Sequence, residues 1–218
     1  MSVTPSADAT TQRRVYVIRH GVCDPADKLL GQFDPPLSVV GERQAADLAR
    51  RLEGEGIERI LSSSLRRAVQ TAELIGKHLG VETATDARLN EISYGIWDGL
   101  RWAEIERVDP ETARRKLEDW WGVTPLGGES LDVFYHRVER GWLSLADHPA
   151  QVTAVVAHRA VNAVLLALAR RELHRSGSHG EPRWKGISTF EQKHCGFEIV
   201  AAPVRFDWKP RSSVQSAE

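Results

Sequence analysis

The chain has 218 residues, with 29 Lys plus Arg against 30 Asp plus Glu (formal net charge −1), and 41% of its residues are apolar. That length and apolar fraction suit one packed domain, with room for an inserted subdomain, and the even charge argues against a protein held to nucleic acid by bulk electrostatics. No apolar run reaches the roughly 18 residues of a membrane span. The opening Met1–Thr11 lacks the apolar core of a signal peptide, and two cysteines, Cys23 and Cys195, are too few for a disulfide framework, so a cytoplasmic location is the expectation.

Residues 1–13 are rich in Ser, Thr, Ala and Asp and read as a disordered tail; 203–218 is again polar, which leaves 14–202 as one domain. Val15-Tyr16-Val17-Ile18 is a β-branched apolar run, read as a buried strand that leads straight into Arg19-His20-Gly21. A loop with Pro25, Gly31, Pro35 and Pro36 follows, and Ser38 is the expected N-cap of a helix carrying Gln44 to Ala49, ended by Gly54. Ile57–Leu61 predicts a second strand, and Leu65–Leu79 a helix started by Ser62-Ser63-Ser64. Gly127-Gly128-Glu129-Ser130 reads as a turn and helix start, after which Leu131, Phe134, Val138, Trp142 and Leu145 fall at core-facing spacing. Val152–Val156 predicts a third buried strand ending in Ala157-His158-Arg159, followed by an apolar helix from about Val161 to Arg170. Ile187–Phe190 and Phe197–Val200 are candidate late strands, the last at an edge. Strands alternating with helices predict an α/β sandwich with a mostly parallel sheet. Such sheets bind ligands beyond the carboxyl ends of their strands.

Two of those strand ends carry a histidine beside an arginine, and a third runs into serines and Arg66-Arg67. A charged pair directly after a buried strand needs a partner or water, and Gly21 allows both a sharp turn and close approach of a ligand. Serines at a helix start offer an anion site, and an arginine in the first turn opposes the helix dipole unless it faces an anion; Arg67 fits that role, whereas Arg66 reads as solvated. Glu91 lies in an apolar, glycine-punctuated turn, where burial would raise its pKa as a general acid requires. Two histidines also suit a metal, but the adjoining Arg19 and Arg159 repel cations and no third ligand stands at metal spacing, so no metal and no cofactor is expected. Cys23 beside an electropositive pocket could be a reactive thiol; a small loop-filling residue is the favoured reading.

Taken together, these segments resemble the histidine phosphatase superfamily, in its phosphoglycerate mutase-like branch, over roughly residues 15–200. The matching pieces are Arg19-His20-Gly21, the Asp34-Pro35-Pro36-Leu37-Ser38 turn with Gly41, Ser63 to Ala72, Leu89 to Gly99, and Gly127-Gly128-Glu129-Ser130 with Val155 to His158. The resemblance implies a three-layer sandwich with a small helical cap at about 100–128. It implies His20 as the nucleophile that becomes phosphohistidine, Glu91 as proton donor, and Arg19, Gly31, Arg67 and His158 as the phosphate pocket. With two guanidiniums and a protonated His158 at the phosphoryl oxygens, the chemistry calls for no Mg²⁺. The cap segment carries Trp102, Trp120 and Trp121 among Arg101, Arg107, Arg114, Arg115 and Lys116, either holding the organic body of a substrate or forming a small amphipathic layer.

The chain also departs from the family pattern: Val22, Cys23 and Ala26 replace polar residues, Ser64 a proline, Asp98 a glutamate and Arg159 a glycine. The expected activity is a metal-independent phosphomonoesterase acting on a small phosphorylated metabolite, without nucleic acid or membrane, and with a homodimer as an option. The alternatives are a phosphoglycerate mutase-type phosphotransferase and a non-catalytic anion-binding relative. The mutases usually carry basic segments near the acid that this sequence lacks.

Overall fold

The computed structural model describes residues 13–171 and 192–201. Its main sheet is made of β1 (Arg14–Arg19), β3 (Arg59–Ser62), β4 (Thr83–Thr85), β6 (Val152–Ala157) and β7 (Phe197–Ala201), in the order β4-β3-β6-β1-β7. The first four strands run parallel; β7 lies antiparallel on β1 at the edge. All six residues of β6 are buried, as a central parallel strand covered on both faces demands. Along β1 the faces alternate. Tyr16 and Ile18 join the layer of α1 (Val39–Arg51) and α2 (Arg66–Leu79), while Val15 and Val17 join that of α5 (Leu131–Ser144) and α6 (Arg159–Arg171). Helix, sheet and helix thus form the expected three layers. The short pair β2 (Lys28–Leu29) and β5 (Leu100–Arg101) stands apart, and α3 (Trp102–Val108) and α4 (Pro110–Glu118) follow it.

Most expected elements are present within a residue or two. Ser38 caps α1, its Oγ accepting the Gly41 N–H at 3.1 Å. Leu131, Phe134, Val138, Trp142 and Leu145 are all buried. β4 was not foreseen, because Thr83-Ala84-Thr85 is an exposed edge with no apolar pattern to read. α6 begins at Arg159, two residues earlier than the sequence suggests. The Asn162 N–H already donates to the His158 carbonyl at 2.8 Å, so His158 itself ends the strand and opens the helix. The tails within 1–12 and 203–218, the strand candidate Ile187–Phe190 and the loop 173–185 lie outside the described residues.

Candidate active site

In-register pairing of β1 with β6 sets Arg19 opposite Ala157, and the His20 N–H donates to the Ala157 carbonyl at 3.0 Å. His20 and His158 therefore leave the sheet side by side, with ring centroids 5.0 Å apart. Beyond them the chain passes so close to α1 that a Cβ on Gly21 would lie 2.6 Å from the Gly41 carbonyl oxygen, which explains the glycine. His20 Nδ1 is 2.7 Å from the Gly21 carbonyl. A carbonyl only accepts, so Nδ1 carries the proton and Nε2 the lone pair. Burial, and next the Arg67 charge, hold the His20 pKa well below the ordinary histidine value, which keeps the ring neutral and nucleophilic.

His158 is held from behind. Its Nε2 is 2.8 Å from Ser63 Oγ, whose single proton goes to Asn90 Oδ1 at 2.8 Å. Nε2 must therefore donate, leaving the buried Nδ1 without a partner among the described residues. Burial and Arg67 again push the pKa well down. Both effects favour the neutral ring over the protonated one expected at the phosphoryl oxygens.

Arg67 is 1% exposed, as its assignment to a pocket requires, while Arg66 is exposed. Arg67 Nη1 donates to the Phe33 carbonyl and Nη2 to the Gly31 carbonyl, both at 2.9 Å, with Asp34 Oδ1 at 3.4 Å. Gly31 takes part through its carbonyl; its φ of +47° and the 1.8 Å that would separate a Cβ from Asp98 Oδ1 exclude other residues. Arg19 Nη1 donates to the Gln192 carbonyl at 2.5 Å. The Nε of each arginine is buried with no partner among the described residues. The serines do not serve as foreseen. α2 is capped at Leu65 without a side-chain bond, and its first free N–H, that of Arg66, goes to Asp34 Oδ2 at 2.8 Å. The helix start is thus filled by a carboxylate from the Asp34 turn; Ser63 and Ser64 bond Asn90, and Ser63 Oγ also accepts the Leu65 N–H at 3.1 Å, one residue ahead of the helix.

Glu91 Oε1 accepts the Ile92 N–H at 3.1 Å, and Oε2 the Ala160 N–H at 3.4 Å. Burial raises its pKa; those bonds and the arginines oppose the rise without cancelling it, so the carboxyl leans toward the protonated form of a proton donor. Arg19, His20, Gly31, Arg67 and Glu91 line one cavity of about 690 Å³. His158, 0% exposed, lies directly behind His20.

Sequence reasoning missed three contributors. Arg137 donates to the Arg88 and Asn90 carbonyls at 2.8 Å each and to the Glu91 carbonyl at 3.4 Å, and it pairs with Glu129 at 2.7 Å. The Gly-Gly-Glu-Ser turn thus supplies, besides a helix start, the anchor of the clamp that holds Glu91. Asn90 fixes both serines. His194 lines the cavity, its ring 5.3 Å from that of His20 and its Nδ1 donating to the His20 carbonyl at 3.0 Å. Topology held the signal for it: the residues entering an antiparallel strand lie at the carboxyl end of the parallel strand it pairs with. Of the cap-segment candidates only Trp120 reaches the cavity; Arg101 pairs with Asp27, and Arg114 with Glu111 and Glu118. Cys23 is 2% exposed and burial pushes its thiol up to about 11, which favours the loop-filling reading. Among the described residues no group of three His, Cys, Asp or Glu is placed to hold a metal ion, and no helix is long and apolar enough to cross a membrane.

Comparison with known proteins gives the same family. A phosphoserine phosphatase of Hydrogenobacter thermophilus is 34% identical over 172 residues, 77% of this chain and 81% of the relative. A bifunctional protein of Mycobacterium tuberculosis is 37% identical over 166 residues, and there the chain spans only 44% of the relative's length. Among solved structures, a mycobacterial glucosyl-3-phosphoglycerate phosphatase superposes with a TM-score of 0.71 at 29% identity, over 86% of this chain and 89% of that one. The sequence profile described as Histidine phosphatase superfamily (branch 1) matches residues 15–203, and the chain belongs to that superfamily.

Proposed function

We propose that the protein is a phosphomonoesterase that hydrolyses a small phosphorylated metabolite through a phosphohistidine on His20, without a metal ion. The observation that carries this reading is the Nδ1–H bond from His20 to the Gly21 carbonyl, which leaves Nε2 as the lone-pair nitrogen of a neutral ring on the cavity wall. Nε2 attacks phosphorus, the P–O bond to the alcohol breaks, and Glu91 gives its proton to the departing oxygen. Arg19 and Arg67 take the charge on the equatorial oxygens, joined by His158 as it protonates. The Glu91 carboxylate then removes a proton from water, whose oxygen displaces the imidazole and frees orthophosphate. The phosphatase names of two relatives support hydrolysis, and the cavity size suits a metabolite better than a polymer. A cytoplasmic setting is part of this reading, with a homodimer as an option.

The test is a panel of phosphate esters assayed with the wild-type protein and with His20→Ala, with EDTA present. The expected result is orthophosphate release by the wild type alone, with an acid-labile phosphoprotein trapped on quenching. No turnover of any ester overturns the phosphatase reading, EDTA-sensitive turnover overturns the metal-free mechanism, and movement of phosphate to a second hydroxyl assigns a mutase instead.

A further inference from the structure

Phosphoryl binding engages Arg19 and Arg67, yet the same cavity is lined by Lys28, Arg159 and Lys193, and Glu91 is its only carboxylate among the described residues. Arg159 is the most informative of the three. It opens α6, a helix with no acidic residue in its first turn, where an arginine opposes the helix dipole. Among the described residues its exposed side chain has no ion pair or hydrogen bond. Its neighbour Ala160 sends its N–H to Glu91 Oε2, and Arg159 and Glu91 line the same cavity. It shares the cavity wall with Arg19 and with the packed rings of Tyr94 and Trp120, and its charge is felt at both Arg19 and Tyr94. Burial keeps the Tyr94 hydroxyl protonated, with its pKa raised far above the tyrosine norm, so it remains a hydrogen-bond donor.

We propose that Arg159, with Tyr94 and Trp120, forms a subsite for a second anionic group, a carboxylate or another phosphate, carried by the alcohol part of the substrate. This rests on the phosphatase reading of the site. An arginine offers a carboxylate or phosphate a paired, planar set of donors, and the unquenched charge gives that group a reason to turn toward α6 and away from solvent.

The experiment compares ethyl phosphate, phosphoglycolate and ethylene glycol bisphosphate as substrates of the wild type, Arg159→Gln and Arg159→Lys. The expected result is a kcat/KM for at least one doubly anionic ester about tenfold or more above that for ethyl phosphate. Arg159→Gln should bring that ratio close to one, and Arg159→Lys should restore part of it. Which doubly anionic ester is preferred distinguishes carboxylate from phosphate. No preference in the wild type, or an equal loss on all three esters in Arg159→Gln, overturns the subsite. If the wild type turns over none of these three, the wider ester panel decides the phosphatase reading and binding decides the subsite by itself. Calorimetry on His20→Ala should then show phosphoglycolate or the bisphosphate binding more tightly than ethyl phosphate, with the difference lost when Arg159→Gln is added. Equal binding overturns the subsite.

Discussion

Glu91→Gln separates the proton donor from the rest of the pocket. In the free site Glu91 Oε1 accepts from Ile92 and Oε2 sits 3.4 Å from the Ala160 N–H. A glutamine can keep the shorter bond through its carbonyl; its NH₂ then meets the Ala160 donor across the longer gap, a mild local mismatch that leaves the fold intact. What disappears is the transferable proton. General acids contribute about 10²–10⁴-fold, or roughly 3–5 kcal/mol of barrier, where the leaving oxygen is strongly basic. Phosphorylation of His20 by an alkyl phosphate should therefore slow by about 10²-fold or more, whereas with p-nitrophenyl phosphate, whose leaving group departs as an anion, it should slow less than about fivefold. Because the same carboxylate later activates water, the variant should accumulate phosphohistidine with the nitrophenyl ester, seen as a burst of one nitrophenol per site. Single-turnover rapid quench measures both quantities. In the wild type the rate should fall on the alkaline side as Glu91 ionises above the usual carboxylate range, and that limb should vanish in the variant. An equal loss of phosphorylation rate on both esters, with the alkaline limb unchanged, would refute the assignment.

Arg137→Met removes the clamp on the 88–91 carbonyls and leaves Glu129 unpaired; kcat for alkyl esters should fall about tenfold with KM little changed, and the alkaline limb should move. A parallel change in both constants for nitrophenyl and alkyl esters would show that Arg137 acts on the whole fold and not through Glu91. Gly31→Ala forces a positive φ on alanine and a clash with Asp98, so it should cost about 1–3 kcal/mol and weaken vanadate binding through the Arg67 acceptor; melting and vanadate titration check this. His20, His158 and His194 all have depressed pKa values when folded, so the stability they contribute is present above about 6.5, the unfolded histidine value, and is lost as pH falls below it. A melting temperature that stays constant from about pH 7 to 5 would contradict that linkage. Cys23, with its thiol pushed up to about 11, should resist iodoacetamide and peroxide in the native protein; rapid inactivation that Cys23→Ser abolishes would reverse the reading.

The parts of the site carried by strand ends were legible because a buried parallel strand has a loud signature. Val15 to Ile18 and Val152 to Val156 are continuous apolar runs, and whatever follows them stands at the carboxyl edge of the sheet, so Arg19, His20 and His158 could be placed without coordinates. Gly31 and Arg67 were legible as residue types, but not the link between them, since a carbonyl acceptor in a loop leaves no trace in composition. Asp34 at the start of α2, Asn90 behind His158 and Arg137 behind Glu91 were hidden because each acts across 27 to 47 residues of sequence through side-chain contacts that no local periodicity encodes. The serines show the converse error. A capping pattern is a local inference, and a carboxylate arriving from a distant turn displaced it.

The formal charge of −1 is an average over an uneven distribution. Away from the cavity several arginines sit beside carboxylates: Arg88 with Asp86, Arg101 with Asp27, Arg114 with Glu111 and Glu118, Arg137 with Glu129. At the cavity the only wall carboxylate among the described residues is Glu91, whose pKa burial raises. The field that remains is short in range and screened beyond about 10 Å in ordinary salt. On the proposed reading it serves a single phosphate group and has little reach toward a polyanion. It also couples binding to chemistry. Glu91 is balanced between burial, which favours its proton, and Arg19 and Arg67, which oppose it; a bound phosphate dianion offsets the arginines and leaves burial less opposed. His158, kept neutral chiefly by burial and by Arg67, moves the same way. On the proposed phosphatase reading, a bound ester would strengthen the protonation of both Glu91, the donor to its leaving oxygen, and His158, the cation behind its phosphoryl group.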